Sequence, residues 1–160
     1  MMMQTLAAMS MQLTSARDPV PQPGEENRPD GGPLAALPRK IAIVEDELMV
    51  AWSLQTIAED LGHDVIGVFA TGEAALEILA GEAADLLFVD INLGGGIDGI
   101  ETARRLRERQ PVAVLFISAY ADADTRARIA EAVPGAMLLR KPVLTGLLQQ
   151  AIEQLGETRN

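Results

Sequence analysis

The chain has 160 residues, enough for one domain with a substantial core and some excess. At 48% hydrophobic, 22% charged and 3% aromatic, it reads as a soluble globular protein with an aliphatic core. A net charge of -10 repels polyphosphate and argues against nucleic-acid binding, and the lack of cysteine excludes disulfides, zinc-thiolate sites and thiol catalysis, as suits a cytoplasmic protein.

The first 38 residues do not read as part of a fold. No basic residue precedes Arg17, and Gln4, Ser10 and Gln12 break the early apolar stretch, so a signal peptide is not expected. Six of the nine prolines lie between Pro19 and Pro38, mixed with Gly24, Gly31 and Gly32. That composition predicts a disordered extension over 1–38, a folded domain over 39–157 and a short tail over 158–160.

Within 39–157, β-rich runs alternate with helical patterns. The runs are 40–45 (KIAIVE), 63–69 (HDVIGVF), 85–90 (DLLFVD), 112–118 (VAVLFIS) and 136–141 (AMLLRK). The first helix carries Val50, Leu54, Ile57 and Leu61 on one face, which puts Trp52 on the opposite side. Thr71 before Gly72 reads as the cap of a second helix over 73–81. A third helix starts after Gly99 with Ile100, Ala103 and Leu106 inward; a fourth covers 122–132. A fifth carries Leu144, Leu147, Leu148, Ala151, Ile152 and Leu155. His63, the sole histidine, reads as a surface residue.

Five strands alternating with five helices predict an α/β domain: a five-stranded parallel sheet with helices on both faces. The nearly all-apolar strands 41–44, 86–89 and 112–117 suit burial on both sides. Ligands of such sheets bind outside the carboxyl ends of the strands. There the chain places Glu45 and Asp46, then Asp90 with Asn92 after it, then Ser118, then Lys141. Two or three carboxylates with a backbone carbonyl form a hard oxygen site suited to Mg²⁺. An aspartate can accept a phosphoryl group, and a lysine and a hydroxyl can hold its oxygens.

In these residues the chain resembles the receiver domain of bacterial two-component response regulators. The resemblance rests on Glu45 and Asp46, on Asp90, on Ser118 followed by Ala119, and on Lys141 followed by Pro142, in that order and spacing. It implies a flavodoxin-like sheet in the order 2-1-3-4-5. It implies that Asp90 is phosphorylated from a phosphohistidine on a kinase or phosphotransfer protein. Asp46, Glu45, Asp90 and the Asn92 carbonyl would hold Mg²⁺, and Ser118 and Lys141 the phosphoryl group. The Lys141-Pro142 bond would be cis. Output would pass to another protein, without direct DNA or membrane contact, and a homodimer through the fourth helix, fifth strand and fifth helix is admissible. Exposed Trp52 would be a docking anchor, as the first helix of relatives helps dock the phosphodonor; cover by residues 34–37 is the alternative.

The sequence departs from the common pattern in two places. The turn glycine, Gly99, lies nine residues after Asp90, so the loop is one residue longer than usual. Leu138 stands where many receivers carry a switch aromatic, which makes Tyr120 a substitute candidate. Residues 94–96 read as a turn and not a phosphate cradle, because no Gly-Lys-Ser/Thr follows. A receiver-like interaction module working without phosphorylation is the alternative function. An aspartyl-phosphate hydrolase would need an acid at position 92, which is Asn.

Overall fold

A computed structural model describes residues 37–157. The chain order is β1 (Lys40–Val44), α1 (Leu48–Asp60), β2 (Asp64–Phe69), α2 (Gly72–Ile78), β3 (Leu86–Val89), α3 (Gly99–Arg109), β4 (Ala113–Ser118), α4 (Ala123–Ala132), β5 (Met137–Arg140) and α5 (Thr145–Glu157). All four strand pairings are parallel, and the order is β2-β1-β3-β4-β5. The expected extension over 1–38, beyond Leu37 and Pro38, and the tail over 158–160 lie outside the described residues.

Side-chain alternation along the three central strands splits the core into two layers. Ala42, Val44, Leu87, Val89, Val114 and Phe116 face α2, α3 and α4. Ile41, Ile43, Leu86, Phe88, Leu115 and Ile117 face α1 and α5. Each layer holds one buried phenylalanine, Phe116 or Phe88. Each such side chain removed from water contributes roughly 1.5–3 kcal/mol, so an aliphatic core this size suffices.

The helices end where local chemistry ends them. Asp98 caps α3 by accepting the Glu101 N–H, Asp122 caps α4 through Thr125, and Thr71 caps α2 through Ala74. α3 carries Glu101 in its first turn and Arg107 and Arg109 in its last, matching the helix dipole. α1 closes at Gly62, whose φ of 85° favours glycine.

Three sequence expectations change in detail. The buried face of α1 centres on Ala51, Leu54 and Ala58, with Val50, Ile57 and Leu61 half-buried at its margins. Small alanines let α1 approach the sheet, and a pattern search weighted to large residues lands one position aside. α2 stops at Ile78, shorter than 73–81. His63 is buried, not on the surface, and its Nδ1 accepts the Arg39 N–H at 3.3 Å.

Candidate functional site

The order β2-β1-β3 makes the chain reverse direction across the sheet between β1 and β3, which opens a crevice at their carboxyl ends. β1 continues to Glu45, whose N–H donates to Phe69 O at 2.9 Å. β3 continues to Asp90, whose N–H donates to Val44 O at 2.9 Å. Ladder hydrogen bonds therefore fix both carboxylate stems. Glu45 and Asp90 are only 3% and 6% exposed, whereas Asp46, one residue further on, is exposed.

Each carboxylate has a different partner set. Asp90 Oδ1 accepts the Asn92 N–H at 3.2 Å, and its Oδ2 accepts from Lys141 Nζ at 2.8 Å. Glu45 Oε1 accepts the Glu47 N–H at 3.1 Å. Glu45 Oε2 lies 2.8 Å from Lys141 Nζ, an ion pair without hydrogen-bond alignment, and has no aligned donor. Asp46 Oδ2 accepts the Gly94 N–H at 2.9 Å. Glu47 adds a looser acid, 3.9 Å from the same ammonium.

Lys141 arrives from β5. Its N–H donates to Ser118 O at 3.0 Å, and a cis Lys141-Pro142 bond follows. Ser118 ends β4 fully buried, and its Oγ accepts the Tyr120 N–H at 3.2 Å. Gly99 is required by close approach: a Cβ there would overlap the Asp90 carbonyl oxygen, so no other residue lets α3 start against the end of β3.

The electrostatics are unbalanced toward negative charge. Burial pushes the Glu45 carboxyl above its usual range; the Asp90 charge adds to this, while the adjacent Lys141 ammonium and the Glu47 N–H oppose it. Burial also disfavours the Lys141 ammonium, but the hydrogen bond to Asp90 and the ion pair with Glu45 outweigh it and hold its pKa above the usual value. One ammonium thus serves two buried carboxylates, with Asp46 alongside. One oxygen each from Glu45, Asp46 and Asp90 lie within 4.8 Å of one another. That hard donor set, in which Glu45 Oε2 is held only by its ion pair with Lys141, fits a divalent cation such as Mg²⁺.

The family model of the response regulator receiver domain matches residues 41–153. The chain belongs to the response regulator receiver family. The Phyllosphere-induced regulator PhyR of Methylorubrum extorquens is 31% identical over 147 residues, covering 91% of this chain and 52% of PhyR. The chain thus spans about half the length of that relative. A signal receiver domain of a modulated diguanylate cyclase from Desulfovibrio desulfuricans superposes with a TM-score of 0.68 at 36% identity, over 74% of this chain and 93% of that one. The receiver domain of PhyR from Erythrobacter litoralis gives 0.65 at 30% identity, over 74% and 89%.

This receiver brings Glu45, Asp46, Asp90 and Lys141 into one cluster, with Ser118 and Asn92 on the adjoining backbone. Trp52 stands outside the cluster, 62% exposed on α1, and Leu48 and Met49 nearby are also exposed. Leu37, the one described residue of the segment considered as a cover for Trp52, is itself exposed. Tyr120 is 68% exposed, and Leu138 is half-buried against the core layer under α4. The chain bends at 94–96, with positive φ at Gly95 and Gly96, and the Gly94 N–H is already taken by the Asp46 carboxylate.

Sequence reasoning missed three contacts of this region: Gly94 with Asp46, Ile97 with Glu73, and Asp98 with Arg128. The only sequence signal was the lengthened glycine loop, which shows that something is special there but not what holds it.

Among the described residues, no helix is long and apolar enough to cross a membrane.

Proposed function

We propose that residues 39–157 act as a phosphorylatable receiver, with Asp90 accepting a phosphoryl group from a phosphohistidine. The observation that carries this reading is the surplus negative charge around one ammonium: buried Glu45 and Asp90 share Lys141, and Glu45 keeps an oxygen without an aligned donor. Buried charge arranged this way costs stability unless a ligand neutralises it.

In the transfer, the donor's N–P bond breaks and an O–P bond forms to an Asp90 oxygen. Asn92 N–H and Lys141 Nζ hold the carboxylate in place for that step. Glu45, Asp46, Asp90 and the Asn92 carbonyl would hold Mg²⁺, which supplies charge neutralisation at the phosphoryl oxygens. Lys141 then exchanges a carboxylate oxygen for a phosphoryl oxygen, and the Ser118 hydroxyl turns to donate to another. The acyl phosphate carries about -2 charge where the Asp90 carboxylate carried -1. That charge biases partner binding, so the chain is a regulator whose own phosphorylation is its chemistry. Trp52, Met49 and Leu48 on α1 are the proposed anchors for the kinase or phosphotransfer protein. A downstream protein receives the signal, through Tyr120 or the α4, β5 and α5 face, and DNA and membrane are not contacted.

Leu138 favours a second reading, an interaction module that works unphosphorylated, because no ring is present to turn on activation. Incubation with Mg²⁺ and a small phosphodonor separates the two. A Mg²⁺-dependent acyl phosphate that disappears in Asp90→Asn is expected. Its absence from the unmodified protein overturns the phosphorylation reading.

A further inference from the structure

Besides the packing of Leu93 and Ile97 on the core, the loop after Asp90 is held by three polar contacts from other elements, one of them from Asp46 of the acid cluster. Gly94 N–H donates to Asp46 Oδ2 at 2.9 Å. Ile97 N–H donates to Glu73 Oε1 at 2.9 Å. Arg128 Nη2 donates to Asp98 Oδ2 at 2.7 Å. The three partners lie on different parts of the fold: the entry to α1, the first turn of α2, and α4.

Between the first two clamps, Gly95 and Gly96 have φ of 83° and 74°. Only glycine occupies that region without strain, so the segment can change shape with no side chain to repack. Gly96 also lies against the Glu73 carboxylate, where a Cβ would overlap it. Glu73 therefore fixes the far end of the glycine segment, and motion at Gly94 is taken up by the two glycines.

We infer that residues 93–98 form a strap that couples the acid site to α4, replacing the missing ring at position 138; this rests on the phosphorylation reading. Asp46 is the shared element at one end. The same carboxylate faces the cation cluster and holds the Gly94 N–H. A cation that draws on Asp46 weakens it as an acceptor and loosens the strap. Asp98 is the shared element at the other end. Its Oδ1 caps α3 through Glu101, while its Oδ2 holds Arg128. Loosening at Gly94 alone is absorbed by the two glycines while Glu73 still holds Ile97; once the phosphoryl group at Asp90 releases the Glu73 clamp as well, the strap reaches α4 through the Asp98–Arg128 ion pair, without β5. That pair is well exposed on both sides, so it can break and re-form readily, as a switch contact must.

The test is amide NMR on the full chain, free, with Mg²⁺, and with Mg²⁺ plus a small phosphodonor, with acyl phosphate quantified in each sample. Mg²⁺ alone should shift the Gly94 amide and leave the Ile129 and Ala132 amides in place. Phosphorylation should move the 94–98 and α4 amides together. In Arg128→Ala, and in Asp98→Asn, which keeps a capping oxygen for α3, Gly94 should still respond while the α4 shifts fall at least threefold. If acyl phosphate forms but 94–98 stay still, the strap is overturned. Equal α4 shifts in variants and unmodified protein overturn it too. No acyl phosphate at all overturns the reading beneath it as well.

Discussion

The two ends of one sheet use polar side chains in opposite ways. At the amino end they bind backbone. Asp85 accepts the Lys40 N–H, His63 accepts the Arg39 N–H, and Gln110 accepts from Ala84 while donating to the Leu79 and Glu82 carbonyls. At the carboxyl end they face one another: Lys141 with Asp90 and Glu45, Asp46 beside them, and one Glu45 oxygen without an aligned donor. A polar group bound to backbone finishes the fold, since orphaned main-chain groups are costly. Charges of unequal sum facing one another do not finish it; they leave a cost that a bound cation would offset. The two ends thus differ in what their polar groups satisfy: backbone at one, each other at the other.

The largest break in that comparison is at Lys141. Lys141→Met leaves two buried carboxylates without their ammonium and should cost about 3–5 kcal/mol without Mg²⁺, read from urea unfolding. Saturating Mg²⁺ should recover part of the loss, because it binds the folded state. Asp90→Asn removes one of the competing charges instead and should leave Mg²⁺-free stability unchanged or higher. At the other end, Gln110→Ala should cost about 1 kcal/mol, since the backbone bonds it makes are part-buried or exposed. That loss should be the same with and without Mg²⁺. A Mg²⁺-sensitive Gln110→Ala, or a Mg²⁺-insensitive Lys141→Met, would erase the distinction between the two ends.

The smaller strap contacts sharpen the carboxyl end further. Gly95→Ala introduces a Cβ into open space but at a φ of 83°. It should destabilise by about 1 kcal/mol from backbone strain alone. Gly96→Ala adds overlap with Glu73 and should cost more. Equal losses at the two positions in urea unfolding would remove Glu73 as the outer clamp.

Much of this was legible in the sequence because it is local. Apolar runs buried on both faces mark β1, β3 and β4, and the residue after each run names the site: Glu45, Asp90, Ser118. The cap residues Thr71 and Asp98 also carry their function in residue type. What stayed hidden is pairing across distance. Nothing in the composition of α2 or α4 says that Glu73 holds Ile97 or that Arg128 holds Asp98, 24 and 30 residues away. His63 was misjudged for a related reason: it is buried with its Nδ1 accepting the N–H of Arg39, 24 residues away, a pairing its sequence neighbours do not announce.

His63 also supplies the smallest and most specific contrast. Burial is the main cause holding its pKa below 6.5; the Arg39 charge adds to this and the Asp64 charge opposes it. Its Nδ1 accepts an N–H, so protonation there would set two donors against each other. The unfolded chain then binds a proton that the folded chain refuses. The stabilising contribution is fully present above pH 6.5 and is lost as pH falls through the depressed folded value, with a slope no steeper than about 1.4 kcal/mol per pH unit. Glu45 at the carboxyl end has the opposite sign. Its pKa is raised, so its favourable contribution is present below 4.5 and is lost as pH rises through the folded value. The stability difference between the unmodified protein and His63→Gln should therefore shrink from pH 7.5 to pH 5.5. The difference between the unmodified protein and Glu45→Gln should move in the unmodified protein's favour as pH falls from 7.5 to 4.5. Urea midpoints across that range decide it, and matching slopes for the two variants would show that the ends do not titrate in opposition.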